Sequence, residues 1–255
     1  MRNDKGTLIR PEILSEGISR PVVTPLSPSV VYASDTPDTL DSQYEGRAQG
    51  YTYAREGHPN ADLLARRIAA MEGVDDGLML GSGMAAVTAV LLGLCKSGDH
   101  VIGGDQLYGR SLRMMREDLP RLGIATSLAD PTDPEAFRKA LRPETRLILL
   151  EVVSNPTLRV ADVRGIAAVA KEAGVLLVVD NTFTTPSGIR PFELGADLVD
   201  HRLGAARDDR DTADRMIVGD VGHGQAVDIV AARGEQARDA RQYARLVGNG
   251  QRQDV

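Results

Sequence analysis

Residues 175–180 are Val-Leu-Leu-Val-Val-Asp, a run of five apolar side chains that ends in a carboxylate. A second run at 147–150, Leu-Ile-Leu-Leu, is apolar in the same way. Short apolar runs without alternation are typical of strands buried on both faces, because a strand with one wet face alternates apolar and polar residues. The two runs therefore predict central strands of a parallel sheet.

Helical and strand patterns alternate on either side of these runs. The predicted helices lie at 62–71, 84–94, 111–122, 134–141 and 163–173, and the predicted strands lie at 77–80, 100–103, 124–128, 146–151 and 175–180. Regular alternation of this kind predicts a doubly wound α/β fold, in which a mainly parallel sheet has helices on both faces. Such folds bind their ligands at the carboxyl ends of the strands.

Three segments of the chain differ in composition. Residues 1–60 are rich in proline and turn-forming residues, and they predict an extended arm. Residues 61–199 hold the alternating pattern and form the predicted large domain. Residues 200–255 carry nine Arg and nine Asp, no Lys and a single aromatic residue, Tyr243. A tail of this composition has few side chains with which to bury a core, so we expect it to be poorly ordered and to contain no strand.

The composition of the whole chain argues against several functional classes. A net charge of −6 speaks against general nucleic-acid binding, which depends on an excess of positive charge. We find no signal peptide and no apolar run that approaches a membrane span, and therefore expect a cytoplasmic protein. The single cysteine, Cys95, suits a reducing compartment, and the four scattered histidines lack the spacing of metal ligands.

A turn with two glycines follows the first predicted strand and precedes a helix: Gly81-Ser82-Gly83-Met84-Ala85-Ala86. Free backbone N–H groups at the helix start, together with the positive end of the helix dipole, make such a turn a cradle for a phosphate group. The same residues match the dinucleotide pattern G-x-G-x-x-A, with Asp105 placed 24 residues after Gly81 to bind a ribose. A tight strand–helix turn without a ligand is the third interpretation.

Polar residues follow the other predicted strands. Asp180 ends a buried strand, where a carboxylate needs either a cation, such as a protonated pyridine nitrogen, or the donors of a turn that it caps. Asn155, in Ser154-Asn155-Pro156, could donate to a ring oxygen or simply form a turn. Tyr108 could stack on a planar cofactor or simply pack. In the arm, Tyr53 and Arg55 could contact a phosphate or lie in solvent.

The convergence of these residues favours a cofactor site. The turn at 81–84, Tyr108, Asn155 and Asp180 follow successive predicted strands, so one edge of one sheet would bring them together. A phosphate cradle, a stacking ring, a donor to an oxygen and a partner for a protonated ring nitrogen are together what pyridoxal 5'-phosphate (PLP) requires. A NAD site would explain the glycine turn and Asp105 but not Asn155 or Asp180.

At these positions the chain resembles the Cys/Met metabolism (transsulfuration) family of PLP-dependent enzymes, which includes cystathionine γ-synthase, cystathionine β- and γ-lyases and methionine γ-lyase. The segments that carry the resemblance are 51–60 (YTYAREGHPN), 81–86 (GSGMAA), 108–109 (YG), 154–158 (SNPTL), 179–182 (VDNT) and 195–199 (GADLV). The resemblance implies the large domain of a fold-type I PLP-dependent transferase, a small-molecule amino-acid substrate, and a homo-oligomer that is a dimer or a tetramer.

The resemblance also implies roles for individual residues. The implied cofactor-binding residues are Tyr53, Arg55, Ser82, Gly83, Met84, Tyr108, Asn155, Asp180 and Thr182. The glycine turn would grip the phosphate, Tyr108 would stack on the ring, Asn155 would contact the ring hydroxyl group, and Asp180 would pair with the ring nitrogen. The arm pair would reach the phosphate of a neighbouring subunit, and Arg113 would lie near the substrate. No residue is assigned to a metal.

The resemblance ends after Val199. Family members continue with a His-Ser-x-Thr-Lys motif, whose lysine forms the Schiff base with PLP and moves protons, whereas this chain continues Asp200-His201-Arg202-Leu203-Gly204-Ala205. All four lysines, Lys5, Lys96, Lys139 and Lys171, precede that point. The small C-terminal domain of the family is also missing from the sequence pattern. We therefore identify no catalytic residue.

By family, the sequence predicts a C–S lyase or a cystathionine γ-synthase-like transferase that uses PLP in sulfur amino-acid metabolism, by β/γ-elimination or γ-replacement. It also predicts that the chain is inactive for lack of the lysine. One hypothesis for the break is a reading-frame slip near codon 199, in which case a one-base shift of the gene should restore the lysine motif. The alternatives are a truncated pseudoenzyme that acts as a non-catalytic PLP-binding or partner subunit, and a Rossmann-type NAD-binding protein.

Overall fold

Seven strands form one sheet in the computed structural model, which describes residues 22–203 and 227–232. The strands are β1 (Asp76–Leu80), β2 (His100–Gly104), β3 (Ala125–Ala129), β4 (Thr145–Glu151), β5 (Leu176–Asp180), β6 (Leu198–Leu203) and β7 (Val227–Ala232). Their order across the sheet is β1-β7-β6-β5-β4-β2-β3. Strands β2 to β6 pair in parallel, and β7 pairs antiparallel with both β1 and β6. The prediction of a mainly parallel sheet is confirmed.

Helices connect the strands and pack on the two faces of the sheet. They are α1 (Pro37–Tyr44), α2 (Pro59–Glu72), α3 (Gly83–Leu94), α4 (Gly109–Arg113), α5 (Leu119–Arg121), α6 (Pro134–Ala140), α7 (Val163–Ala173), α8 (Thr185–Gly188) and α9 (Pro191–Leu194). A single π-helical turn, Met114–Asp118, joins α4 to α5.

A hydrophobic core lies on each face of the sheet. One core contains Leu147, Leu149 and Val178 together with α3, and the other contains Ile148 and Leu177 together with α7. Neighbouring residues of a strand point to opposite faces, so an unbroken apolar run fills both cores at once. Each fully buried Leu or Ile stabilises the fold by roughly 1.5–3 kcal/mol. The apolar runs of β4 and β5 therefore form the centre of the domain.

Local signals set the limits of α7, the helix that returns the chain to the sheet before β5. Its N-cap residue is Asp162, whose carboxylate accepts a hydrogen bond from the N–H of Gly165 at 2.9 Å. Its last turn ends at Gly174, whose φ of +66° is the left-handed conformation that glycine adopts without strain. The predicted bounds of this helix match the observed ones.

The predicted helix at 111–122 is interrupted in the structure. The chain forms α4, the π-helical turn and α5 in succession, and the backbone N–H of Leu119 bonds to the carbonyl of Met114. Pro120 explains the irregularity, since its ring has no N–H to donate and clashes with the carbonyl four residues earlier. A proline at this place would kink or break a continuous α-helix.

The predicted extended arm, 1–60, contains a helix. Thr36 caps α1, and its Oγ1 accepts from the N–H of Thr39 at 3.2 Å. Both α1 and α2 begin with a proline, Pro37 and Pro59. Proline interrupts a helix interior but suits the first helical position, so these two prolines mark helix starts. Residues 1–21 lie outside the described part of the chain.

The prediction that residues 200–255 contain no strand is wrong for two segments. β6 continues to Leu203, and β7 spans Val227–Ala232 between β1 and β6. The β7 sequence includes the β-branched residues Val227, Ile229 and Val230, and hydrogen-bonding partners on both sides favour a strand there whatever the surrounding composition. The rest of the predicted tail, 204–226 and 233–255, lies outside the described residues.

Candidate functional site

A cavity of about 280 Å³ lies at the carboxyl edge of the sheet. Seven of the predicted cofactor-binding residues line it: Ser82, Gly83, Met84, Tyr108, Asn155, Asp180 and Thr182. The volume is just below the roughly 300–1,000 Å³ that small-molecule sites usually occupy. Parallel α/β sheets bind their ligands at this edge, so the place of the cavity is that of a ligand site.

One end of the cavity is the N-terminus of α3, a helix of 12 residues. Ser82 is the N-cap residue, and its Oγ accepts a hydrogen bond from the N–H of Ala85 at 3.1 Å. The remaining N–H groups of the first turn have no acceptor within the helix, and the helix dipole is positive at this end. An anionic group such as a phosphate would be stabilised here.

Two loops form the side walls of the cavity. Tyr108 precedes α4, and its side chain remains 41% exposed. Asn155 lies in the turn after β4, in which Ser154 exchanges hydrogen bonds with Arg159: the N–H of Ser154 donates to the Arg159 carbonyl at 3.0 Å, and its Oγ accepts from the Arg159 N–H at 2.9 Å. The peptide bond between Asn155 and Pro156 is cis. This closed turn fixes the backbone of Asn155 at the cavity wall.

Asp180 is the last residue of β5 and also lines the cavity. Its Oδ1 accepts a hydrogen bond from the backbone N–H of Thr182 at 2.8 Å. A carboxylate has about four lone-pair sites, so this hydrogen bond does not prevent a second contact inside the cavity. The two interpretations of Asp180, turn cap and partner of a ring nitrogen, are therefore compatible.

Three carboxylates lie side by side across neighbouring strands. Glu151 on β4 is the register partner of Asp180 on β5, and Asp180 is the register partner of Asp200 on β6. All three line the cavity. Burial raises the pKa of Glu151 to about 7; a hydrogen bond from the backbone of Tyr108 opposes this, and the charge of Asp180 adds to it. This wall would attract a cationic group.

The sequence analysis missed Glu151 and Asp200. Glu151 closes the apolar run 147–150, and Asp200 follows the apolar pair that starts β6. Glu151 obeys the rule that identified Asp180, a carboxylate where a buried strand ends, whereas Asp200 is the third residue of β6. Applied to every predicted strand, that rule would have found Glu151 but not Asp200.

A buried network lies next to Asp180. The side-chain amide of Asn181 donates to Oε1 of Glu72 at 3.1 Å and to the carbonyl of Ile189 at 2.8 Å. Glu72 and Asn181 are both buried, at 1% and 0% exposure. Since polar groups in an interior need partners, these contacts fix the loop after β5 against α2.

Three predicted residues do not line the cavity. Arg113 is exposed and pairs with Glu117, with Nε 3.0 Å from Oε2. Tyr53 and Arg55 lie in the arm, where the guanidinium carbon is 4.8 Å from the centre of the tyrosine ring. Asp105, the acid that a dinucleotide site would use, does not line the cavity either.

The described lysines lie away from the cavity. Lys171 lines a separate cavity together with Val175 and Leu176, at the amino edge of β5. Lys96 precedes β2 at the same edge, and Lys139 lies in α6. Within the described ranges, no group of His, Cys, Asp and Glu could hold a metal ion. No helix in the described part is long and apolar enough to cross a bilayer.

The chemistry of the cavity fits PLP. The N-terminus of α3 suits its phosphate, and the carboxylate of Asp180 suits a protonated ring nitrogen. Tyr108 offers an aromatic face, and Asn155 offers an amide donor. Together these four groups match a planar cationic ring that carries a phosphate more specifically than any one of them alone.

Comparison with known proteins supports the same cofactor. The sequence model of the family described as Cys/Met metabolism PLP-dependent enzyme matches residues 7–204. The match includes every predicted cofactor-binding residue, from Tyr53 to Thr182.

The regions that match individual relatives include most of this chain but only about half of each relative's length. A canavanine gamma-lyase of Rhizobium leguminosarum bv. trifolii is 42% identical over 190 residues, 74% of this chain and 46% of that protein. A cystathionine gamma-lyase of Bacillus subtilis is 44% identical over 156 residues, 61% of this chain and 41% of that protein. A crystal structure from Campylobacter jejuni, assigned as an O-acetylhomoserine (thiol)-lyase and containing N'-pyridoxyl-lysine-5'-monophosphate, has a TM-score of 0.69 at 30% identity, over 71% of this chain and 44% of that one.

Proposed function

This chain belongs to the Cys/Met metabolism PLP-dependent enzymes, and we propose that its cavity binds PLP without a covalent bond to lysine. We further propose that the chain turns over sulfur amino acids slowly or not at all. One observation carries both proposals: a single cavity joins the N-terminus of α3 to Asp180, and none of the described residues that line it is Lys, Arg or His.

The binding part of the proposal follows from the two ends of the cavity. Backbone N–H groups at Ser82, Gly83 and Met84 would hold the phosphate, because they lie at the positive end of α3. Asp180 would keep the ring nitrogen protonated, since a carboxylate at hydrogen-bond distance favours the charged form of a base. PLP, when bound, supplies an electron sink for reactions at the α-carbon of an amino acid.

The limit on turnover follows from the missing lysine. When His201 is aligned with the histidine of the family motif His-Ser-x-Thr-Lys, the lysine position falls on Ala205. A methyl side chain can neither bond to an aldehyde nor carry a proton. Ala205 could therefore neither form the Schiff base with PLP nor transfer a proton.

The substrate class is proposed from the relatives. Their names include cystathionine gamma-lyase, cystathionine beta-lyase and L-methionine gamma-lyase, enzymes named for sulfur amino acids. We propose that the substrate class of this fold is a cystathionine-like amino acid, which an intact site would convert by β/γ-elimination or γ-replacement. The canavanine gamma-lyase shows that a similar sequence also serves a substrate named for a different amino acid.

Two measurements on the purified chain test the proposal. Equilibrium dialysis against PLP should show saturable binding that reverses on dialysis against plain buffer. A time course with cystathionine should show release of ammonia far slower than that of an intact family member, or none. Absence of saturable binding would overturn the binding proposal, and steady release of ammonia at the rate of an intact family member would overturn the proposed loss of turnover.

A second candidate function is that of a non-catalytic partner subunit. The arm favours it, because Tyr53 and Arg55 lie outside the cavity of their own chain while Val22, Val23 and Leu26 expose large apolar side chains. We propose that the arm completes the phosphate site of a neighbouring chain. Light scattering should then show a dimer or a larger assembly of the chain alone, or a mixed assembly with an intact family member. A monomer under both conditions would contradict this candidate.

A further inference from the structure

Glu151 links two loops that the chain brings to the cavity from different strands. Its Oε1 accepts a hydrogen bond from the backbone N–H of Tyr108 at 2.5 Å, and its Oε2 accepts from the N–H of Asn155 at 3.3 Å. Tyr108 is 43 positions away in the sequence and Asn155 is four. Glu151 itself is 8% exposed and belongs to β4, a central strand of the sheet. A rigid element thus holds both loops through one side chain.

The ionised side chain suits both contacts best. A carboxylate accepts hydrogen bonds strongly at either oxygen, whereas a carboxylic acid accepts only weakly at its protonated oxygen and an amide presents a donor at its nitrogen. Tyr108 and Asn155 both offer N–H groups, so a neutral side chain at position 151 would weaken one of the two contacts. Protonation of Glu151 would therefore weaken its hold on one of the two loops.

We propose that ionised Glu151 is the positioning residue of this cavity, which holds Tyr108 against the face of the bound ring and Asn155 at its hydroxyl group. This inference rests on the proposed binding of PLP. Its physical basis is preorganisation: a binding site whose loops are already fixed loses less conformational entropy when the ligand enters. Glu151 acts through the two loops and needs no contact of its own with the cofactor.

The surroundings of Glu151 couple its ionisation to the ligand. The titratable groups in the neighbouring elements are Asp180 on β5, Asp200 on β6, and Asp105 and Tyr108 after β2. Burial and the charge of Asp180 favour the protonated form of Glu151 and raise its pKa. A cationic ring nitrogen beside Asp180 would offset that charge and favour the ionised form. Binding of the ring would then strengthen the hydrogen bonds by which Glu151 holds Tyr108 and Asn155.

The variant Glu151→Gln tests the inference, with Glu144→Gln as its matched control at the exposed amino end of the same strand. PLP affinity and the near-ultraviolet circular dichroism of the bound cofactor are measured at pH 8 for both variants and the wild type. Loss of one hydrogen bond to a charged acceptor should weaken binding about tenfold or more and reduce the dichroic signal of the ring. Glu144→Gln should match the wild type.

The outcomes separate this inference from the proposed function. A wild-type chain that binds no PLP would overturn the proposed function and this inference with it. A wild-type chain that binds PLP, with Glu151→Gln unchanged in affinity and dichroism, would overturn the inference alone.

A measurement on the unaltered chain covers the case in which Glu151→Gln does not fold. The amide proton resonances of Tyr108 and Asn155 are followed by nuclear magnetic resonance as the pH of the PLP-free protein is raised. If one carboxylate accepts from both, the two resonances should move downfield with a single common midpoint. Two resonances that do not move, or that move with different midpoints, would contradict the proposed role.

Discussion

Oε1 of Glu72 lies 2.7 Å from Nε2 of His201, in a contact closed to solvent, with the side chains 0% and 4% exposed. Glu72 ends α2 and His201 belongs to β6, so the contact joins a helix to the sheet. The two atoms are close, but the contact does not meet the geometry of a hydrogen bond. The same glutamate oxygen accepts from Asn181, the residue after Asp180. A buried polar contact thus lies beside the cavity.

Replacement of Glu72 by alanine should destabilise the fold strongly. The change leaves His201 buried without its partner and removes one acceptor from Asn181, and breaking a buried pair from one side costs about 3 kcal/mol or more. The control is Glu45→Ala, which removes an exposed contact with Arg47 and should cost less than about 1 kcal/mol. Urea unfolding followed by circular dichroism measures both. Equal effects of the two variants would contradict the role of the buried contact.

Replacement of Asp180 by asparagine should weaken PLP binding while the fold persists. The amide can still accept from the N–H of Thr182 but carries no charge for the ring nitrogen. Loss of a charge-assisted hydrogen bond should lower the affinity about tenfold or more. Asp133→Asn is the matched control, because Asp133 caps α6 at the surface and asparagine caps equally well. An unchanged dissociation constant for Asp180→Asn would refute the assigned partner of the ring.

The free energy of unfolding of the PLP-free chain should fall as the pH rises. The folded-state pKa of Glu151 is about 7, raised from 4.5 mainly by burial. A raised pKa means that the folded protein favours the protonated form of Glu151. The contribution of Glu151 to the free energy of unfolding is therefore fully present below about pH 4.5 and is lost as the pH passes about 7. The loss is on the order of 3 kcal/mol at about 1.4 kcal/mol per pKa unit.

Urea unfolding of the wild type and of Glu151→Gln at several pH values between 4 and 8 isolates this contribution. Other groups titrate in both proteins, so the informative quantity is the difference between the two curves. The free energy of unfolding of the wild type minus that of Glu151→Gln should fall as the pH rises from about 4.5 to about 7. A constant difference across the range would contradict the assignment.

Cys95 should react slowly with thiol reagents in the folded protein. Burial raises the pKa of its thiol to about 12, the nearby carboxylate of Asp99 adds to the shift, and Arg146 opposes it. Since the thiolate is the reactive form, modification at pH 8 should be about a hundredfold slower than in urea-unfolded protein. The chain has a single cysteine, so the reaction of the unfolded chain is its own control. Rates within tenfold of each other would show an accessible thiolate.

The strands and their parallel pairing could be predicted because the local signal and the global fold agree. The apolar runs in β4 and β5 are stable only when buried on both faces, between two layers of helices, and the structure confirms this burial. Pro37 misled the prediction of the arm, since proline interrupts a helix interior but also suits the first position of a helix. β7 was missed because its stability comes from partners far away in the sequence, β1 and β6, which composition does not show.

The candidate site was predictable where residues follow strand ends. Seven residues named from the sequence line one cavity, because parallel strands bring their carboxyl ends to one edge. The position of Arg113 was not predictable in this way, since it lies in the helix α4 and not at the end of a strand. In the structure it pairs with Glu117. The contacts of Glu72 with Asn181 and His201 were equally hidden, because they join elements that no sequence spacing relates.

Borohydride reduction of the PLP-saturated chain, followed by peptide mass analysis, tests the central claim most directly. Borohydride converts an imine between PLP and a lysine into a permanent adduct and leaves a reversibly bound cofactor free to dialyse away. We expect a chain that binds PLP, loses it on dialysis after reduction, and carries no pyridoxyl group on Lys5, Lys96, Lys139 or Lys171. A stoichiometric pyridoxyl adduct on any one of these lysines would contradict the claim that this cavity works without a covalent lysine.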